Sequence, residues 1–329
     1  MKSTWEGFRS AAAEGIECYL AHKRALGRCF RNEEMGLRML DRFLVEREVS
    51  TIDAITAEQL ETFVSSRRRP RPRSYNHLLG VVRRLFDWLV AQGRLMRSPV
   101  ATRPRRDTAA RIPFLFNVVQ ARSLLEVASR LPDRSNAPQR GATYRTIFAL
   151  LYGLGLRVGE VSRLCVRDVD LDRQLLVIRQ SKFSKNRLVP FGPRMRDELV
   201  HQLHLQTVRR GTLSPDSPFF TFRRGQPLNP GTISQTFHQL WPRLGLTLAP
   251  GVAPPRAHDL RHAFAVGTLL RWYREGIDPS SRLLHLSTFM GHVQPESTAV
   301  YLTITAELLQ EGSRRFEQFA APALAGVCQ

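Results

Sequence analysis

The sequence predicts a mainly α-helical protein of two domains, with one small β-hairpin in the second. Three observations carry this prediction. Apolar residues recur three and four apart through most of the chain, as in Leu78, Val82, Leu85 and Leu89, the period of a helix with one buried face. Between Ser98 and Phe114 that periodicity lapses into a stretch holding three prolines and four arginines, a linker composition. Beyond it, alternation at Leu175, Val177 and Arg179 and again at Arg187, Val189 and Phe191 suggests two short strands. At 329 residues the chain exceeds the usual size of a single core. Residues 1–100 are therefore expected to form a helical domain, 101–113 a linker and 114–329 a second domain.

In the first domain, helices are expected over Gly15–Arg28, Glu33–Glu46, Thr56–Ser65 and Ser74–Gln92. Thr56 and Gln59 have the spacing of a capping box, and Ser74 is placed as the cap of the fourth helix. Directly before it stand Arg67, Arg68, Arg69, Arg71 and Arg73, interrupted by Pro70 and Pro72. Such a run cannot pack a core, and a neighbouring helix start offers free N–H groups that favour phosphate. These five arginines, with Arg83 and Arg84 on the helix itself, are candidate nucleic-acid contacts.

In the second domain, helices are expected over Val118–Ala128 and Ala142–Tyr152. Gly153-Leu154-Gly155 breaks the second of these, and a new helix, Val158–Cys165, begins just after Arg157. Ser181–Asn186 joins the two strands and puts Lys182 at a hairpin tip. The remainder, including 230–244, 259–275, 282–290, 296–301 and 306–319, reads mostly helical. In the last segment Leu308, Leu309, Phe316 and Phe319 share spacings that suit one side of a helix seeking a groove.

Charge narrows the function. Lys and Arg number 49 against 29 Asp and Glu, a formal charge of +20, which favours a polyanionic partner. The excess is spread over both predicted domains, so both are expected to touch nucleic acid. The four cysteines are scattered without metal-ligand spacing, and a reduced intracellular protein is expected. Neither a secretory leader nor an apolar run near 20 residues is apparent, and no membrane partner is expected.

Five residues make a chemical set: Arg157, His258, Arg261, His292 and Tyr301. Two guanidiniums can clamp a non-bridging phosphate oxygen through paired N–H donors, two imidazoles can donate hydrogen bonds or move protons, and a phenol can attack phosphorus. His258 and Arg261 lie three apart at a helix start, so both point one way. A departing alkoxide also needs a proton donor. Of the 49 basic residues only four are lysines, Lys2, Lys23, Lys182 and Lys185, and two of these share the hairpin. A desolvated ammonium can release a proton near neutral pH where a guanidinium cannot.

In order and spacing these motifs resemble the tyrosine recombinase (phage integrase) family: Gly-Leu-Gly-Leu-Arg-Val-Gly-Glu around Arg157, His-Asp-Leu-Arg at His258 to Arg261, Gly-His at His292, and Tyr301 nine residues later. The hairpin Ser-Lys-Phe-Ser-Lys-Asn-Arg-Leu-Val-Pro extends the likeness. It implies a helical core-binding domain followed by a catalytic domain of the DNA-breaking-rejoining fold. It also implies attack by Tyr301 to give a 3′-phosphotyrosine and a free 5′-hydroxyl, with His258 as proton acceptor or relay and His292 on the same phosphate. Alignment of the hairpin makes Lys182 the general acid and leaves Lys185 and Arg187 as DNA contacts. No metal or other cofactor is implied, because the phosphotyrosine preserves the bond energy. The implied partners are double-stranded DNA with inverted-repeat core sites, a homotetramer on two duplexes, and accessory recombinases or directionality factors, in the cytoplasm at the nucleoid. The 30 residues between Arg261 and His292 look longer than in the compact chromosome-dimer resolvases and more like recombinases of transposons and integrative elements. Two alternatives stand beside this reading, a type IB topoisomerase-like enzyme and a catalytically idle DNA-bridging protein.

Other residues receive plainer readings. Glu160 is expected to orient Arg157 or cap its helix. His262 is read as a core or supporting histidine, and Tyr75, Tyr152 and Tyr273 as packing residues. Asp168, Asp170 and Asp172 superficially suggest a calcium loop, but Arg173 and Arg179 stand where glycine and glutamate belong, so that motif fails.

Overall fold

The computed structural model describes residues 7–28, 30–66, 69, 71–106, 113–179, 186–222, 225–292, 296–299, 301, 310, 313, 314 and 317. The chain divides into two compact units, Met1–Ala110 and Arg111–Gln329. Lys182, Lys185, Arg67, Arg68 and the apolar residues of the expected 306–319 helix lie outside the described residues.

The first unit holds α1 (Ala13–Ala25), α2 (Arg31–Glu46), α3 (Ala57–Ser66) and α4 (Pro72–Ala91). Its core is the apolar stripe of each helix: Leu78, Val82, Leu85 and Leu89 of α4 are at most 2% exposed and meet Ile16, Leu40 and Phe63. The Thr56–Gln59 capping box forms, with Thr56 N–H donating to Gln59 Oε1 at 2.9 Å and Gln59 N–H to Thr56 Oγ1 at 3.2 Å. Ser74 is not a cap. Helix α4 begins two residues earlier, with Arg71 as N-cap and Pro72 in the first turn, where a missing N–H costs nothing. Residues 102–105 run back along α4. Asn76 exchanges two hydrogen bonds with the Arg105 backbone, at 2.7 and 2.8 Å, and the Arg105 guanidinium lies 3.8 Å over the Tyr75 ring.

The second unit comprises α5 (Val118–Ser129), α6 (Arg140–Gly153), α7 (Val158–Arg163), a sheet of β1 (Val169–Asp170), β2 (Leu175–Ile178) and β3 (Arg187–Pro190), then α8 (Pro193–Arg210), α9 (Pro230–Leu240), α10 (Ala257–Arg274), α11 (Pro279–Met290) and the short α12 (Glu296–Ala299). Helix α6 is its axis, packing on α5, α8 and α10. Ile147, Phe148, Leu150 and Leu151 are almost fully buried around it.

The sheet is antiparallel in the order β1-β2-β3, with Leu176 opposite Val189 and Ile178 opposite Arg187. Its inner face carries Leu176, Ile178 and Val189, so β2 buries the other phase from Leu175 and Val177. Helix α8 does not stand out in the sequence. Its buried stripe includes Gln202 and Gln206, and glutamines at core positions erase the apolar period. Among the described residues no helix is long and apolar enough to cross a membrane.

Candidate active site

The site grows from three helix ends. At the start of α7, Arg157 is the N-cap in extended conformation, and Glu160 reaches back to accept its backbone N–H at 2.9 Å. Helix α10 starts in the same way. Arg256 is the N-cap, and the fully buried Asp259 accepts its N–H at 2.9 Å. An acid in the first turn satisfies an orphan donor and faces the positive end of the helix dipole. These starts aim Arg157 from α7, and His258, Arg261 and His262 from α10.

The third end is the C-terminus of α11, whose last carbonyls lack helical partners. Three guanidiniums take consecutive ones. Arg187 Nε donates to Phe289 O at 2.8 Å, Arg261 Nη2 to Met290 O at 2.6 Å and Arg157 Nη2 to Gly291 O at 2.7 Å. Gly291 closes the helix at φ 68°, where a Cβ would stand 2.8 Å from Arg187 Nη1. Gly155 is equally constrained: φ is 59°, a Cβ would fall 2.4 Å from Phe264 Cδ1, and its carbonyl accepts from Arg261 Nη1. Gly155 and Gly291, two of the four glycines in these motifs, are therefore fixed by backbone shape and close approach.

Arg187 departs from its expected place on the DNA surface. Its side chain is only 8% exposed and forks onto Glu160, Nη1 to Oε1 and Nη2 to Oε2, both at 2.9 Å. The register Ile178↔Arg187 at the start of β3 turns this side chain inward. Glu160 also accepts from Arg157 Nη1 at 2.7 Å. Burial alone would raise the Glu160 pKa, but the hydrogen bonds and charge of Arg187, then those of Arg157, lower it to about 2.

Arg261 is 1% exposed, and among the described residues no carboxylate lies within salt-bridge distance of it. It donates instead to two carbonyl oxygens, those of Gly155 and Met290. Desolvation, then the neighbouring charge of Arg157, lowers its pKa to about 9. Among the described residues, Glu160 is thus paired with Arg157 and Arg187 alone, and Arg261 keeps its charge buried against two carbonyl oxygens with no carboxylate in contact. A buried cation of this kind favours an anionic ligand.

Tyr301 is 4% exposed, packed in a satellite core with Ala265, Val266, Leu269, Leu286 and Met290. Desolvation raises its pKa, against the pull of Arg261 and Arg157. His292 stacks beside it, ring centroids 6.4 Å apart and planes at 20°, and its Nδ1 lies 2.6 Å from the buried hydroxyl of Thr298. Desolvation, followed by the charges of Arg261, Arg157 and Arg187, lowers the His292 pKa to about 4. His258 reaches solvent at the rim. Desolvation by the surrounding protein, then His262, Arg261, Arg256 and Arg157, lowers its pKa as well, so both imidazoles are neutral at pH 7.

His262, expected from the sequence to be a supporting residue, instead meets the phenol: its Nδ1 is 2.7 Å from Tyr301 Oη. His258 contacts it edge-on, with ring centroids 4.7 Å apart. The signal available in the sequence is their separation by four, which places two histidines on one helix face.

In the first unit Arg71, Arg73 and Arg84 are exposed. Arg83 is partly exposed and gives one donor to Thr102 O at 2.6 Å, and Arg69 is half-buried with Nη1 3.4 Å from Ser74 Oγ.

The model of the phage integrase family matches residues 120–307 of the chain that carries this site. A putative integrase/recombinase of Sinorhizobium fredii, y4rB, is 35% identical over 311 residues, 94% of this chain and 98% of that protein. Among solved structures, a lambda integrase dimer bound to a COC′ core site superposes with a TM-score of 0.61 at 18% identity, covering 88% of this chain and 76% of that one. The Tn1549 transposon integrase in complex with transposon right end DNA gives 0.63 at 15% identity, covering 93% and 99%. At such identities the two structures establish a shared fold.

Proposed function

This chain belongs to the phage integrase family, and on that premise we propose that Tyr301 is the nucleophile with which it breaks and rejoins DNA. It is a site-specific DNA recombinase, an enzyme that transfers DNA strands, and DNA is its partner. The observation that carries the assignment of residues is the buried, carboxylate-poor guanidinium of Arg261, close enough to Arg157 and to the Tyr301 phenol for each to act on the other's charge.

The chemistry follows from that arrangement. A phosphodiester entering the site exchanges its own hydration water for the fixed N–H donors of Arg157 and Arg261, of which each guanidinium carries five. As Tyr301 Oη bonds to phosphorus, the phosphorane gathers more negative charge than the diester. Preorganised donors therefore stabilise the transition state more than the ground state. Neutral His292, its Nδ1 side turned to Thr298, has Nε2 left to donate to a non-bridging oxygen. The P–O5′ bond breaks as Lys182 of the hairpin protonates the leaving oxygen. The 3′-phosphotyrosine then accepts attack by a 5′-hydroxyl from a partner strand, with no external energy source.

Arg71, Arg73 and Arg84 contact the DNA backbone in this proposal, with Arg67, Arg68, Arg69, Arg83 and Lys185 as further contacts, and the first unit is the core-binding domain. The substrate is an inverted-repeat core site, and two duplexes are held by a homotetramer, with accessory recombinases or directionality factors, at the nucleoid. Transposon and integrative-element chemistry is supported by the likeness to the Tn1549 integrase. An assay with two labelled duplexes tests the recombinase reading. Exchange of flanks between duplexes is expected, whereas supercoil relaxation without exchange would favour the topoisomerase alternative.

A further inference from the structure

A phenol that attacks phosphorus must lose its proton, and the structure puts a specific base on the phenolic oxygen. His262 Nδ1 stands 2.7 Å from Tyr301 Oη, with ring centroids 5.4 Å apart. His292 flanks the phenol face, but its Nδ1 is directed to Thr298 at 2.6 Å. His258 reaches the ring of His262. On the far side of His262, the fully buried Asp259 places Oδ1 4.0 Å from Nε2. Asp259 is itself held by the Arg256 backbone N–H at 2.9 Å and Arg256 Nη2 at 3.2 Å. One turn of α10 thus carries the anion and the imidazole, with one ring nitrogen nearest Asp259 and the other on the phenol oxygen.

We propose that His262 is the catalytic residue that accepts the Tyr301 proton, with Asp259 positioning its ring and balancing the imidazolium that results. The proposal rests on Tyr301 being the nucleophile. In the resting state the neutral imidazole carries its proton on Nε2, toward Asp259, and accepts the Tyr301 O–H at Nδ1. In the step, the O–H bond breaks and its proton moves to Nδ1. The freed electron pair of Oη forms the bond to phosphorus, and the P–O5′ pair leaves with the 5′-oxygen. Religation runs the same path backward, with His262 returning the proton to Oη as tyrosine departs. His258, at the rim, is then a neighbour that orients His262.

The test is single-turnover covalent linkage on a nicked suicide duplex, with the full chain. His262→Ala is expected to slow linkage about 10²-fold or more, the usual contribution of a positioned base, with DNA affinity kept. A ring-fluorinated tyrosine at position 301, whose phenol ionises more readily, is expected to shrink that deficit to below about tenfold. His262→Asn keeps a polar group near the Nδ1 position but cannot take a proton, and is expected to stay as slow as His262→Ala. An equal deficit with the fluorinated tyrosine, or full activity in His262→Asn, would overturn the proposal. Tyr301→Phe separates it from its premise. An adduct surviving that substitution overturns Tyr301 as nucleophile. An adduct lost in Tyr301→Phe, together with an unslowed His262→Ala, overturns the role of His262 alone.

Discussion

Arg187 and Glu160 meet fork to fork, two parallel hydrogen bonds of 2.9 Å between β3 and α7, in a site where both side chains are almost wholly buried. The pair joins the start of α7 to the end of α11, because the same guanidinium holds Phe289 O. It is a structural hub between the N-terminus of α7, where Arg157 stands, and the end of α11.

Breaking the hub is expected to cost more than an ordinary ion pair. Arg187→Ala leaves a buried carboxylate without its main partner and should destabilise the second unit by about 3–5 kcal/mol, measured by denaturant unfolding. The pH dependence has a definite sign. The folded pKa of Glu160, about 2, lies below its ordinary 4.5, so its contribution is fully present above about 4.5 and disappears as pH falls toward 2. The stability gap between the native chain and Glu160→Gln should narrow over that window. A gap unchanged between pH 7 and pH 3 would contradict it.

His292 gives a second titration. Its folded pKa is lowered to about 4, so below about 6.5 the unfolded chain takes up a proton that the folded chain refuses. This titration weakens the fold as pH drops from about 6.5 to 4. Site-resolved NMR of the ring is expected to show a midpoint near 4. A midpoint near 6.5 would mean that neither burial nor the arginine cluster acts on it.

How far the sequence discloses this site depends on which residue is considered. Arg157, Arg261, His292 and Tyr301 can be singled out because their types suit phosphoryl transfer and their motifs carry glycines. The structure explains two of those glycines, Gly155 and Gly291, through their left-handed turns. Arg187 can be read from the sequence only as a DNA contact, because the partner that buries it, Glu160, lies 27 residues away. His262 escapes for the same reason. Its partner is 39 residues distant, so only the tertiary fold brings them together. Of the fold, helices with an apolar stripe such as α4 are readable, whereas α8 is obscured by Gln202 and Gln206 at buried positions.

The role of Lys182 is open to a selective test. Lys182→Ala is expected to slow cleavage of ordinary DNA far more than cleavage of a substrate with sulfur at the 5′-bridging position, because a thiolate departs without a proton. Equal slowing on both substrates would remove the general-acid role, and selective rescue of Lys185→Ala would transfer it to that residue.

Salt dependence tests the DNA surface of the first unit. A protein neutralising about ten phosphates loses roughly 10³–10⁵ in affinity between 50 and 200 mM salt. Replacing the exposed Arg71 and Arg73 with alanine should flatten the logarithmic slope by about 0.9 for each phosphate left without its arginine. An unchanged slope would show that these arginines are not at phosphates.

The most direct measurement is the site of covalent attachment. On a nicked suicide duplex the native chain should accumulate a protein–DNA adduct in denaturing gels, with the 3′-phosphate mapping by mass spectrometry to Tyr301. Tyr301→Phe should abolish the adduct while leaving DNA affinity nearly intact, since only one oxygen is removed from an extended surface. An adduct that persists in Tyr301→Phe, or maps to another tyrosine, would contradict the account.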